Sequence, residues 1–217
     1  MSQQPQPSAI VYVDGFNFYY GALKGNSDLK WLDYRKLASR SLRGHHVDAV
    51  RYFTARVQDR PDDSGLAQRQ DVYIRALKEH AGVEIHLGQF KHREKNLPLA
   101  REHRKGKIKM ARVIHTEEKG SDVSLGAHLV RDACHKSMEV ALVLSNDSDL
   151  QTPVTMAEKE GIVVITVNPH KQTQQPRRLL SGDKRTLNRK LLERCQLPDP
   201  VTTRAGKLIH KPKEWKA

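Results

Sequence analysis

Residues 9–17 read AIVYVDGFN. A short continuous apolar run that stops at Asp14-Gly15 is the pattern of a fully buried strand followed by a tight turn. A second run, VALVL at 140–144, stops the same way at Ser145-Asn146-Asp147-Ser148-Asp149. Between and around these two runs, strand and helix patterns alternate. Residues 32–42 have helical spacing with Asp33 as N-cap, and 47–57 are rich in β-branched and aromatic residues. The turn DRPDDSG at 59–65 leads, through a cap at Asp63 or Ser64, into a helix over 66–80. Residues 83–87 form a third strand. A helix over 121–136 precedes the VALVL strand. A helix over 150–160 closes at Gly161, the residue type expected just past a C-terminus, and residues 162–167 form a last strand. One more helix is expected over 184–195.

The order β-α-β-α-β, then α-β-α-β, predicts an α/β fold with a parallel sheet and helices on both faces. Such sheets bind ligands at the carboxyl ends of their strands, near the point where the strand order reverses. The interruption at 91–107, KHREKNLPLAREHRKGK, lies between two alternating segments and reads as a basic inserted hairpin projecting from the body. The expected organisation is a loose tail at 1–8, one domain over 9–169 with its insertion at about 91–112, and a basic extension over 170–217 packed on that domain.

The chain has 217 residues and a net charge of +13. The charge is segregated. Residues 91–112 hold nine Lys/Arg against two acids, and 170–217 hold thirteen against four, so the rest of the chain is mildly acidic. An acidic body with two basic appendages favours a polyanion, and nucleic acid is the commonest. No apolar run approaches the ~20 residues of a spanning helix, and the basic segments lack the apolar face of a membrane-surface helix. A membrane partner is therefore not expected. The start MSQQPQPSA has no basic n-region and no apolar stretch, so no secretory leader is expected. With only Cys134 and Cys195, a disulfide scaffold and a cysteine zinc site are excluded, and the expected compartment is the cytoplasm.

The polar ends of the strands carry the chemistry. Asp14 closes the first strand, Asp122 opens the long helix, and Asp147 and Asp149 follow the VALVL strand. Each has an ordinary structural reading, as a turn residue or helix cap. Together, if the two strands are neighbours, they converge on one sheet edge. Carboxylates crowded together repel unless a cation neutralises them, and hard oxygen donors suit Mg²⁺ or Mn²⁺. A carboxylate-held metal flanked by basic arms meets the requirements of a metal-dependent nuclease.

Three stretches, VDGFN at 13–17, KGSDV at 119–123 with Leu125, and LSNDSD at 144–149, together resemble the NYN-domain family, a branch of the PIN-like nucleases. The end of the chain, Leu197-Pro198 and KPKEW at 211–215, is similar to the tail of bacterial members. The resemblance implies a Rossmann-like, PIN-type parallel sheet and metal-dependent endoribonuclease activity, in which a metal-activated water attacks phosphorus. By position it implies that Asp14, Asp122, Asp147 and Asp149 bind Mg²⁺ or Mn²⁺. It implies that Asn17 orients Asp14 or a phosphate oxygen, and that Ser145 and Asn146 line the pocket. Many members carry an Asp six residues after the aspartate of the second motif, where this chain has His128, read here as packed in preference to ligating. Lys119 stands beside the acids as a pocket candidate. Glu117 and Glu118 read as flanking charges. Trp31, Phe16, Tyr19 and Tyr20 read as core in preference to base-stacking platforms.

Arg93, Lys95, Arg101, Arg104, Lys105 and Lys107, with Arg177, Arg178 and Lys184, are the candidates for holding an RNA backbone, a contact that positions but reads no sequence. Transfer RNA or another structured RNA stays open as substrate, and so does a homo-oligomer built on the hairpin. Two alternatives stand beside the nuclease. One is a non-catalytic RNA-binding module on the same fold. The other is a haloacid-dehalogenase-type phosphatase, disfavoured because Phe16 stands where that class needs a second Asp.

Overall fold

The computed structural model describes residues 6–170 and 183–216, with the backbone alone for 183–186. Its centre is a seven-stranded sheet in the order β4-β3-β2-β1-β5-β6-β7. The strands are β1 (Ser8–Asp14), β2 (His46–Ala55), β3 (Glu84–Pro98), β4 (Met110–Lys119), β5 (Val140–Leu144), β6 (Val163–Asn168) and β7 (Asp183–Thr186). All neighbours run parallel except β4, which pairs antiparallel with β3 on the outer edge. The order reverses at β1, which pairs β2 on one side and β5 on the other, from Ala9 opposite Val140 to Val13 opposite Leu144. The ends of those two strands therefore lie side by side at the switch point.

Burial on both faces explains why β1 and β5 are apolar without alternation. On one face Ala9, Val11 and Val13 pack against α2 (Tyr34–Ser41) and α3 (Leu66–Ala81), through Leu37, Leu77 and Tyr73. On the other, Ile10 and Tyr12 pack against Leu125 and Leu129 of α5 (Ser121–Cys134) and Val154 of α6 (Gln151–Lys159). Asp14 has the parity of Ile10 and Tyr12, so it belongs to the face that α5 covers. Within α5, the buried Asp132 accepts a hydrogen bond of 2.6 Å from the Tyr12 hydroxyl and pairs with Arg131 at 2.9 Å and with Arg51.

The chain end closes the first core. Its elements are α7 (Arg189–Glu193) and the small antiparallel pair β8 (Val201–Thr202) and β9 (Leu208–Ile209). Trp31 donates from Nε1 to Pro198 O at 2.9 Å, and Trp215 packs its ring on Trp31 and Tyr73.

The structure corrects three local expectations. The helix expected over 184–195 is a strand followed by a helix of only Arg189–Glu193, because the sheet edge at β6 takes residues 183–186 as a further strand. Neither Asp63 nor Ser64 caps α3. Gly65, at φ +86°, occupies the cap, and the Asp59 carboxylate accepts the Ala67 N–H at 2.8 Å instead. The third strand does not stop at residue 87. It runs on to Pro98 as one arm of the inserted hairpin, paired from Gln89 opposite Lys119 to Pro98 opposite Met110, with α4 (Ala100–His103) at the tip. Ten residue pairs at ~3.4 Å each carry that tip roughly 30 Å outward.

Candidate active site at the sheet's carboxyl edge

The turn after β1 and the turn after β5 interlock through hydrogen bonds. Asp14 is buried, and its Oδ1 accepts the Asn17 N–H at 3.0 Å while Oδ2 accepts the Ser145 hydroxyl at 2.8 Å. The same Ser145 oxygen accepts the Asp147 N–H at 3.1 Å. Asp147 Oδ1 accepts the Asp149 N–H at 3.0 Å, and Asn17 Oδ1 accepts the Asn146 N–H at 3.3 Å. Asn17, Ser145 and Asn146 thus hold the acid turns in place, and Asp147 caps the short 3₁₀ turn Ser148–Leu150. Gly15 is required here: a Cβ on it would stand 2.8 Å from Phe53 O and from the Tyr52 ring.

Asp122 enters from the start of α5. Burial, then the charges of Asp14, Asp147, Glu118 and Asp149, push its carboxyl up to about 6. Burial also raises Asp14, against the two hydrogen bonds that favour its charged form, and Asp147 and Glu118 raise it further. Five acids therefore share one field. Glu118 is the one that the sequence reading set aside as a flanking charge. Its carboxylate accepts from the Ser121 N–H at 3.2 Å and the Ser121 hydroxyl at 2.8 Å, which fastens the root of the hairpin to the first turn of α5. Its spacing four residues before Asp122 was the available signal. Gly88 on β3 makes room for it, since a Cβ there would meet Lys119 O at 2.7 Å as well as the Glu118 carboxylate.

Among the described residues no three His, Cys, Asp or Glu side chains converge closely enough to share one ion. The donor set nevertheless fits a hard dication. Burial and the neighbouring carboxylates make Asp14 and Asp122 resist ionisation, and Mg²⁺ keeps several waters and needs only one or two direct carboxylates.

His128 and Lys119 do not join the acids by any contact. The His128 Nδ1 donates to Ser124 O at 2.8 Å, and its ring packs 4.3 Å from His86 and 5.4 Å from Phe53, centroid to centroid. Lys119 lines the edge of the α5–α6 groove, and its ammonium pairs with Glu117 at 2.6 Å. That groove, about 570 Å³, runs past Asp122, Gly126, Asp149 and Met156.

A second hollow of about 500 Å³ lies on the α3 side and begins at Gly15 and Phe16, the residues that follow Asp14. Trp31 is core as expected. Phe16 and Tyr19 are only half-buried and line this cleft, and Tyr20 is 56% exposed on its rim. They lie where α1 (Gly15–Phe18) passes into the π-helical turn Tyr19–Leu23.

Arg93 and Lys95 project from one face of the hairpin, with Lys91 and His115. Arg101, Arg104, Lys105 and Lys107 are exposed around the tip, and none of these six cations is in an ion pair among the described residues. Arg177 and Arg178 lie outside the described residues, and Lys184 is in β7, where only the backbone is described. No helix among the described residues is long and apolar enough to cross a membrane.

A family model of the NYN domain matches residues 8–182. Among curated proteins the chain is 27% identical to the 6-hydroxy-3-succinoylpyridine 3-monooxygenase HspA of Pseudomonas putida, over 94% of this chain and 74% of that protein. Among solved structures it resembles a protein of unknown function from Vibrio parahaemolyticus, with a TM-score of 0.51 and 16% identity, covering 87% of this chain and 98% of that one. That likeness supports the α/β architecture alone.

Proposed function

The chain belongs to the NYN-domain family, a group with a nuclease-like fold, and from that premise we propose that it is a metal-dependent endoribonuclease. The observation that carries the proposal is the interlocked carboxyl edge. Asp14 is held by Asn17 and Ser145, and it shares one field with Asp122, Asp147, Asp149 and Glu118 at the β1/β5 switch point.

Mg²⁺ or Mn²⁺ bound there would lower the pKa of a water and neutralise charge on the phosphate. Asp14, Asp122 and Asp147 are the residues that would hold it, with Asp149 and Glu118 adding negative charge around it. The protein's own contribution is positional. Two hydrogen bonds fix the Asp14 carboxylate, so little reorganisation is needed when substrate arrives. Arg93, Lys95 and the cations at the hairpin tip, which are in no ion pair among the described residues, attract the phosphate backbone toward an edge that would otherwise repel it. Hydrolysis with water as nucleophile and the 3′-oxygen as leaving group would leave 5′-phosphate and 3′-hydroxyl ends with no covalent intermediate.

The test is incubation of the protein with cellular RNA in Mn²⁺, in Mg²⁺ and in EDTA, beside D14N and D147N variants shown to be folded, followed by mapping of the cut ends. Cleavage that is lost with EDTA and with either variant supports the proposal. Cleavage by folded D14N and D147N at the parent rate overturns it.

A second reading, a non-catalytic RNA-binding module, is favoured by one observation: no three acidic side chains converge on a point among the described residues. Tight, salt-sensitive RNA binding without cleavage in any metal would establish it.

A further inference from the structure

The cleft on the α3 side combines two features that ordinary core packing does not require. Its walls are aromatic: Phe16, Tyr19 and Tyr20 from the segment after β1, Phe90 from the root of the hairpin, and Tyr52 and Trp215 below. It also contains a cation. The Lys30 ammonium lies 5.6 Å from the centre of the Tyr19 ring and 6.0 Å from that of Trp215, half-buried and without a carboxylate in ion-pair distance among the described residues. Burial and the nearby Arg69 push that ammonium below the usual lysine value, against the opposing charge of Asp63, which lines the same cleft. The Tyr20 ring stands exposed at the rim, and Lys24 stacks on it at 4.8 Å, adding a second cation there.

We propose that this cleft is a subsite for one unpaired nucleotide of a single-stranded RNA, its base lying among Phe16, Tyr19, Tyr20 and Phe90 and its phosphate meeting Lys30. The inference rests on the reading of the carboxyl edge as the cleavage site. Gly15 and Phe16 join the two places directly, so a base seated in the cleft leaves its strand running past Asp14. The volume, about 500 Å³, is within the usual range for a small-ligand site, and base–aromatic stacking is the sequence-tolerant contact that single strands use. A base-paired helix could not enter, because its bases are already stacked. The subsite therefore selects loops, bulges and ends over duplex.

The test is equilibrium binding in EDTA on a D147N background, where no cleavage intervenes. Probes are a short single-stranded RNA, the same strand with one abasic nucleotide, adenosine monophosphate and nicotinate. Tyr20→Ala and Lys30→Met are expected to weaken the intact strand about tenfold each. Tyr20→Ala should leave the abasic strand nearly unchanged, because it removes a base contact, while Lys30→Met should weaken both strands, because the abasic nucleotide keeps its phosphate; Tyr20→Phe and Lys30→Arg should restore binding. Equal weakening of both strands by Tyr20→Ala, or no weakening by either variant, overturns the subsite. Nicotinate that binds as tightly as adenosine monophosphate, with no competition from RNA, also overturns it and assigns the cleft to a free heteroaromatic acid. That outcome would bring the chain nearer to the pyridine named for its Pseudomonas putida relative. Cleavage assays of the parent in Mn²⁺ separate the two claims. Base-dependent binding without cleavage leaves the subsite standing and removes the nuclease, and cleavage indifferent to Tyr20 and Lys30 does the reverse.

Discussion

The Ser145 hydroxyl donates to Asp14 at 2.8 Å and accepts the Asp147 N–H at 3.1 Å, so a single oxygen ties the end of β1 to the turn after β5. It satisfies a buried carboxylate and sets the distance between two acids of the cluster at once. Ser145→Ala leaves one Asp14 oxygen short of a donor and frees the 145–149 turn. The expected cost is about 1–3 kcal/mol of stability, the range for an unsatisfied buried polar group. Cleavage should fall more steeply than stability, since the Asp14–Asp147 spacing is lost. Thermal melts beside a cleavage time course check this, and a variant with the parent's rate would show that the link is only structural.

Asp122 titrates in the folded chain at about 6, against the usual 3.8. A raised carboxyl means that the folded state holds its proton more tightly than the unfolded state does. Without metal, the folded protein therefore loses stability as pH rises between about 4 and 6, and the penalty is fully present at pH 7. Asp122→Asn removes that penalty. It should melt several degrees higher than the parent at pH 7 in EDTA and at the same temperature near pH 3.5. Adding Mn²⁺ should narrow the gap at pH 7, because a cation relieves the same repulsion in the parent. Melting curves of both proteins across pH, with and without Mn²⁺, decide it. A gap that is constant with pH would place the effect outside this carboxylate.

Gly88 controls how closely the hairpin root approaches α5. In Gly88→Ala the new Cβ would meet Lys119 O at 2.7 Å and the Glu118 carboxylate, and the backbone oxygen cannot swing aside as a side chain could. An overpacking cost of about 1–3 kcal/mol is expected. Glu118 should also lose its hold on Ser121, and with it the fixed start of α5. Hydrogen exchange at the Ser121 and Asp122 amides reads the second effect directly, and unchanged protection there would refute it.

The parts that the sequence disclosed and the parts that it hid differ in physical origin. β1 and β5 were legible because burial on both faces leaves a continuous apolar run, and the polar turn that ends each run lies at the carboxyl edge by necessity. Asp33 was legible as a cap because capping is local, and its carboxylate does accept the Lys36 N–H at 2.9 Å. Glu118 was hidden because its place beside the acids depends on Gly88, which leaves room for it across the β3–β4 pairing, although its bonds to Ser121 are local. The strand at 183–186 was hidden for the same reason, since only the free edge of β6 calls for it. Tyr20 misled because an aromatic pair beside a helix start usually marks core, as it does for Tyr19, which packs against it. The cleft that exposes Tyr20 is made by the turn after β2, the hairpin root and the chain end together.

The two faces of the hairpin differ in charge and should behave differently toward RNA: Lys91, Arg93, Lys95, Glu117 and Lys119 lie on one, and Glu94, Arg112 and Glu118 on the other. Among the described residues Arg93 and Lys95 are in no ion pair, while Arg112 on the opposite face is already bound to Glu94 by its guanidinium. A cation that must release a carboxylate before meeting a phosphate contributes little to counterion release. Replacing both Arg93 and Lys95 with Gln should therefore lower the slope of log affinity against log salt by about 1.4, at ~0.7 per phosphate contact for single strands. Arg112→Gln should leave the slope nearly unchanged. Titrations of a single-stranded RNA in EDTA at several salt concentrations read both variants. Equal slopes for parent and double variant would remove the hairpin from the RNA path and leave contacts between copies of the chain as its remaining use. A slope lowered by Arg112→Gln alone would move the binding face to the side that carries Glu94.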